Sequence, residues 1–316
     1  MSTLQVNEIT DTGGSTLLGR RNAIINGNFD VWQRGTSQTA LGYGSADRWG
    51  FDAGTSTFTM SQASFTLGQT DVPNEPKHYA STAVTTGSTA GSFALYYQQI
   101  ESVRTLAGQT ATLSFWAKAD AAKDIAVELS QSFGSGGSPS AQVNGIGVTT
   151  CSLTTSWQKF EVTVAIPSIS GKALGTNSDD KLTLLFWLDA GSDFNARTNS
   201  LGNQSGTFDI AQVQLEAGSV ATPFERRSYG EELALCQRYC QTVRESAANG
   251  RAASSNNSIT CAYFNTYMRF TPTVSYTTTL GTVSAVYAKN NMVTFNGTSD
   301  SSNRIAVQDV LLDSEL

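Results

Sequence analysis

One histidine in 316 residues leaves little room for imidazole chemistry. His78 has no second histidine with which to share a metal, and following Pro76 and Lys77 it reads as a loop residue with a structural or solvated role. Charge is also scarce. Asp, Glu, Lys and Arg make up 15% of the chain, against about 25% in ordinary soluble domains. The 20 basic and 26 acidic side chains leave a net charge of −6, which excludes a protein that holds nucleic acid by neutralising phosphates. The four cysteines, Cys151, Cys236, Cys240 and Cys261, form no C-x-x-C pair and match no zinc spacing, so they read as reduced thiols. The longest apolar run, Leu182 to Leu188, is broken by Thr183 and falls far short of the roughly 20 residues of a membrane helix. No membrane insertion is expected. The first eight residues carry neither a basic stretch nor an apolar one, unlike a secretory signal, and this predicts synthesis and folding in a cytoplasm. No serine sits in a G-x-S-x-G elbow. There is no phosphate loop, dinucleotide fingerprint or β-helix repeat.

The chain has what a packed core needs: 39% hydrophobic residues, among them 15 Phe, 10 Tyr and 5 Trp. The expected fold is mainly β, an antiparallel jelly-roll β-sandwich with one linking α-helix and a small C-terminal β domain. Residues 1–21 read as a polar arm ending in Arg20-Arg21. Residues 22–226 read as the sandwich, because apolar side chains alternate with polar ones between Gly/Ser turns. Leu113, Phe115 and Ala117 share one strand face. Ile125, Val127 and Leu129 share another, and so do Phe160, Val162, Val164 and Ile166, then Leu182, Leu184, Phe186 and Leu188. Further strands are expected at Phe93-Leu95-Tyr97 and from Phe208. Residues 227–257 read as a helix, over 228–243, and a loop. Ser228 with Glu231 makes a capping box, and Tyr229, Leu233, Cys236 and Cys240 follow at helical spacing. Residues 258–316 return to alternation. About 60 residues bury too little surface to stand alone easily, so partner chains are expected there.

Chemistry-bearing clusters are few. Asp179 and Asp180 could form half of a two-carboxylate glycosidase site, although an acidic turn explains them as well. Cys236 and Cys240 lack a third metal ligand and fit core or interface packing. The tryptophans carry more. Successive side chains on a strand point to opposite faces. Trp116 therefore leaves the Leu113-Phe115-Ala117 core with Ser114 and Lys118, and Trp187 leaves the Leu182-Phe186 core. Outward rings suit a sugar-stacking surface, a subunit interface or packing beneath a loop.

Several blocks resemble bacteriophage tail-fibre and appendage proteins that carry a carbohydrate-binding-module-like jelly roll. Asn26-Gly27-Asn28-Phe29-Asp30, Val31-Trp32-Gln33-Arg34-Gly35 and Ser45-Ala46-Asp47-Arg48-Trp49 resemble the opening of such a module. Asp209-Ile210-Ala211-Gln212-Val213-Gln214-Leu215-Glu216-Ala217-Gly218, on to Ala221-Thr222-Pro223-Phe224-Glu225, resembles its close. Glu231 to Tyr239 resembles the helix that follows, and Met268 to Val274 with Asp313-Ser314-Glu315-Leu316 the small C-terminal β domain. Ser2 to Ile9 is similar to the N-termini of marine phage appendage proteins. Residues 50–110 match nothing in this pattern. The resemblance implies a virion protein, homotrimeric and without catalysis. Residues 1–21 would attach it to other tail proteins, and it would touch host-surface glycans, with Trp116 and Trp187 as contacts. The trimer would close through Tyr229, Leu233, Cys236 and Cys240. The resemblance also implies at most one cofactor, a structural calcium ion held by Asn28, Asp30 and Asp209. Two other readings are a purely structural collar, adaptor or capsid fibre, and a polysaccharide-depolymerising tailspike.

Overall fold

The computed structural model describes residues 21–243, 248–251, 258–263, 266–280, 282–298 and 304–315. The expected arm lies outside them except for Arg21. Two antiparallel sheets face each other. The first has six strands in the order β1 (Ser37–Gln38), β3 (Thr57–Ser64), β4 (His78–Thr85), β11 (Gly206–Ala217), β6 (Thr110–Ala119) and β9 (Gln158–Ala165). The second has five: β2 (Gly50–Ala53), β5 (Phe93–Glu101), β10 (Lys181–Ala190), β7 (Lys123–Ser132) and β8 (Val143–Leu153). This is the jelly-roll sandwich that the alternation implies.

The inward faces are those read from the sequence. Leu113, Phe115 and Ala117 meet Leu182, Leu184, Phe186 and Leu188 in one core. Phe115 lies edge-on to Phe186, with ring centroids 5.0 Å apart, and stacks on Phe160 at 5.4 Å. Trp49, from the block Ser45-Ala46-Asp47-Arg48-Trp49 that resembles the module opening, stacks on Phe29 at 5.2 Å. Burying each such ring contributes about 1.5–3 kcal/mol. His78 begins β4 and lies 3.2 Å from the Ser64 hydroxyl, so it sits on a strand and not in a loop. Asp179 accepts from Ser135, and Asp180 from Ser102 and Val103; both brace turns.

The two ends of the sandwich are spliced together. Asn22 Oδ1 accepts from the Leu215 amide, the Asn22 amide donates to Glu225 at 2.7 Å, and Arg227 donates to the Asn22 carbonyl. The Asn26 amide donates to Glu232 at 2.6 Å. Gly27 is required here, since a Cβ would lie 2.1 Å from the Val213 carbonyl oxygen.

The helix is shorter than expected. α2 spans Tyr229–Gln237 with the Ser228–Glu231 capping box in place. The chain then turns into β12 (Cys240–Val243), so Cys240 is a strand residue. The stop comes from distant chain: the Arg269 amide bonds the Arg238 carbonyl, and the Ser314 amide bonds that of Tyr239, both at 2.8 Å. β12 and β13 (Ala248–Arg251) flank β18 (Arg304–Asp313), which also pairs with β15 (Thr273–Leu280). β14 (Ser258–Tyr263), β17 (Met292–Thr298) and β16 (Thr282–Lys289) form a further sheet. The linking segment thus supplies two strands to the C-terminal β structure. Met268, Val293, Phe295, Val307, Val310 and Leu312 form its small core.

A buried ionic seam joins this part to the sandwich. Arg34 reaches Asp313 at 3.0 Å and Glu315 at 3.1 Å, with Asp47 3.8 Å away. Arg48 pairs with Glu315 and lies over the Tyr239 ring at 3.5 Å. Cys236 and Cys240 are fully buried in this region. They are therefore unavailable to a trimer axis, which corrects that part of the expected interface. Leu233 is half-buried and only Tyr229, 60% exposed, stands clear of the chain.

Candidate functional site

The outward face of the five-stranded sheet forms an open cleft of about 380 Å3. The pairing register lays its side chains out in rows. Gln99, Thr183 and Ser130 form a polar row across β5, β10 and β7; Tyr97, Leu185 and Glu128 form the next; Leu95 and Trp187 follow. Asp52 on β2 extends the last row, and Lys181 lies at one end of the cleft. Toward one end β5 and β10 are apolar on both faces, and there the outer face forms a second, smaller core. Leu95, Ala126, Leu185 and Trp187 are buried there against Phe93, Tyr97, Phe194 and Leu201.

Trp187 points away from the main core, as the strand parity requires, but its ring is only 1% exposed. The segment 192–201, which includes the short helix α1 (Asn195–Thr198), covers it. Phe194 lies 5.2 Å from the ring and Arg197 4.9 Å above it. The indole N–H donates to Glu128 at 3.1 Å, and Glu128 also receives Arg197 and, at 2.7 Å, the Gly145 amide. Trp187 therefore serves as the packed floor of the cleft, and the expectation that it stacks on a sugar is corrected: no face of its ring is open. Arg197 Nε remains without a partner.

Tyr97, like Phe93 and Phe194, is a half-buried aromatic of the cleft, and it alone of the three carries a hydroxyl. It lies edge-on to Tyr43 at 5.7 Å. Its hydroxyl is pushed up to about 12, chiefly by burial and then by Asp52 and Glu315. It thus remains a neutral donor at physiological pH. Gly50 makes room for it, since a Cβ there would come within 2.4 Å of the ring. Tyr43 donates to Gln99 at 3.3 Å. An apolar strip of Tyr97 and Leu185 flanked by Gln99, Thr183, Ser130, Lys181 and Arg197 can stack on the apolar face of a sugar ring and bond its hydroxyls. Sequence reasoning passed over Tyr97, Gln99, Glu128 and Arg197. The available signal was the run Phe93-Ala94-Leu95-Tyr96-Tyr97, apolar at every position, which marks a strand covered on both sides.

Trp116 lies on the opposite, six-stranded sheet and is half-buried. The structure does not bring the two tryptophans into one site. The residues of the expected calcium set each hold another partner. Asn28 donates to Asp30 at 2.8 Å, whereas Asp209 sits 3.5 Å from the Lys118 ammonium. Asp209 is raised by burial against the pull of Ser81 and Lys118. Asn28 Oδ1 and Asp209 Oδ1 are buried without partners, but a lysine already holds the cation's place beside Asp209. With these partners Asp209 is already charge-compensated by Lys118 and fits a shared calcium ion poorly. Among the described residues no group of three His, Cys, Asp or Glu side chains is placed to hold a metal, and no helix is long and apolar enough to cross a membrane.

No protein-family profile and no curated protein matches the chain. Solved structures do. The enzymatically active domain of tailspike protein 4 from bacteriophage CBA120 aligns at 12% identity and TM-score 0.37, over 62% of this chain and 21% of that one. The chain thus spans about a fifth of the length of that solved tailspike chain. A family 11 carbohydrate-binding module from Clostridium thermocellum, in complex with a mixed-linked tetrasaccharide, aligns at 13% identity and TM-score 0.34 over 59% and 98%. The N-terminal cellulose-binding domain of Cellulomonas fimi β-1,4-glucanase C aligns at 16% and 0.32 over 60% and 100%.

Proposed function

We propose that the chain is a bacteriophage appendage protein that contacts host-surface glycans through the cleft on its five-stranded sheet, without catalysis. The carrying observation is the cleft itself: a row of hydroxyl and amide groups beside an apolar strip, on a floor fixed by Trp187 and Glu128. The blocks resembling phage fibre proteins support the virion setting. A homotrimer, and attachment to other tail proteins through residues 1–21, follow from the same resemblance. Among the described residues lining the cleft Asp52 is the one carboxylate, and Glu128 beneath it is buried and tied to Arg197 and Trp187, whereas glycoside hydrolysis ordinarily uses two carboxyl groups facing the substrate. Weak single-site contacts would become firm binding through avidity in a trimer.

The test is a glycan array probed with the full chain, alongside Tyr97→Ala and light scattering for mass. Saturable binding lost in Tyr97→Ala supports the reading. A folded, oligomeric protein that binds no glycan would favour the structural collar, adaptor or capsid role. New reducing ends released from host polysaccharide would restore the tailspike reading.

A further inference from the structure

A second cavity, of about 220 Å3, opens on the opposite sheet and is walled by Trp116, Pro73, Pro223 and Phe224, with Ser114 and Gln212 among its polar lining. Gln212 is one of fourteen described non-glycine residues with positive φ. Its φ of 48° is left-handed, a conformation that costs a non-glycine residue free energy and that clusters at ligand sites. It sits where the β11–β6 register shifts between Ala211 and Gln214, so the strand carries an extra residue opposite β6. Such bulges re-aim side chains. Here the bulge keeps Val213 in the main core and turns Gln212 to the outer face, between Trp116 and Ser114.

The amide of Gln212 has a fixed orientation. Its Nε2 donates to the Pro73 carbonyl at 2.7 Å, and a carbonyl can only accept, so Oε1 points the other way. Gln212 is 3% exposed and Oε1 has no hydrogen-bond partner. A buried acceptor left unpaired costs about 1–3 kcal/mol. Gln212 thus lines the cavity beside aromatic and proline walls, its unsatisfied acceptor buried beneath them. The cavity is smaller than the roughly 300–1,000 Å3 of drug-sized ligand sites, which suits a single sugar ring and not a chain. It also lacks an unpaired charge to hold an anion, since Lys159 at its rim is bound to Glu161 at 2.6 Å.

We propose that this cavity binds the acetamido group of one N-acetylated hexosamine, separately from the cleft on the other sheet. The acetamido N–H would donate to Gln212 Oε1, and its methyl would pack on Trp116 and Phe224. A sugar with a hydroxyl in place of the acetamido group would leave the apolar walls unfilled.

The test is saturation-transfer NMR and titration of the full chain with N-acetylglucosamine, N-acetylgalactosamine, glucose and galactose. The expected result is transfer strongest at the acetyl methyl, with at least tenfold weaker binding of the unacetylated sugars. Gln212→Gly relieves the backbone strain while removing the acceptor. It should melt at the same temperature or higher and lose binding at least tenfold. Trp116→Ala should lose it too, and every titration is run in the Tyr97→Ala background so that the cleft on the other sheet contributes no signal. Equal binding of acetylated and plain sugars, binding to neither, or full binding by Gln212→Gly would each overturn the proposal.

Discussion

Arg48 and Glu315, 267 positions apart, form a buried ion pair, and the Arg48 guanidinium also lies on the Tyr239 ring at 3.5 Å. Arg48 is itself left-handed, with φ 71°. The pair fastens the last described strand to the sandwich. Removing one partner of such a pair leaves the other charge buried and unpaired, at a cost of about 3–5 kcal/mol. Glu315→Gln should therefore lower the stability of the sandwich as well as that of the C-terminal part. Denaturant unfolding followed by tryptophan fluorescence checks this, because Trp49 lies in the sandwich core. Less than 1 kcal/mol of change would mean that the pair is solvated in solution.

Asp47 lies in the same seam. Burial raises its pKa to about 6, against the opposing pull of Arg34 and the hydrogen bonds from Gln33. A carboxyl whose folded pKa exceeds its unfolded value, 3.8, binds its proton more tightly when folded. Its contribution is fully present below the unfolded value and is lost as pH rises through about 6. Asp47→Asn should remove that dependence. The difference in melting temperature between wild type and variant, followed from pH 4 to pH 7, should change across this window. A constant difference would refute the shift.

Trp187 and Tyr97 should separate stability from binding. Trp187→Ala empties a buried site and should cost about 3–5 kcal/mol. Tyr97→Ala removes a half-buried ring, so its stability loss should be less than half as large while glycan binding disappears. Chemical denaturation of both variants alongside the array gives the comparison. Equal losses of stability would place Tyr97 in the structural floor instead.

Cys151, Cys236 and Cys240 are buried thiols. Burial raises all three pKa values, that of Cys151 to about 11, so thiolate is scarce at pH 8. A maleimide should leave these three unmodified in the native protein and label them after denaturation, as read by peptide mass spectrometry. Native labelling of Cys236 would show that the helix leaves its seat.

Much of the sandwich is legible in the sequence because its strands alternate cleanly. The parity that sends Trp116 and Trp187 outward is a local property of the chain, and so is the Ser228–Glu231 cap. What covers an outward face is not local. The Gly191-Ser192-Asp193 turn conceals that Phe194 and Arg197, a few residues on, fold back over Trp187. The i, i+4 spacing continues to Cys240 and predicts a helix past Gln237, where α2 ends. Its end is set by amides at Arg269 and Ser314, which no short window contains. Gln212 gave no signal, since a bulge depends on the register of two strands.

The splice at Asn22, Glu225 and Arg227 also has a mechanical meaning. The sandwich's incoming and outgoing chain leave from one corner, and the incoming segment is bonded to β11 through Asn22 and Ala23. Tension between residues 22 and 228 would first load this short set of bonds, leaving the strands of the two sheets slack. A force probe gripping those points should meet one early yield at the corner before the cleft or the cavity is disturbed. The domain could thus ride on a strained tether while its binding faces keep their shape.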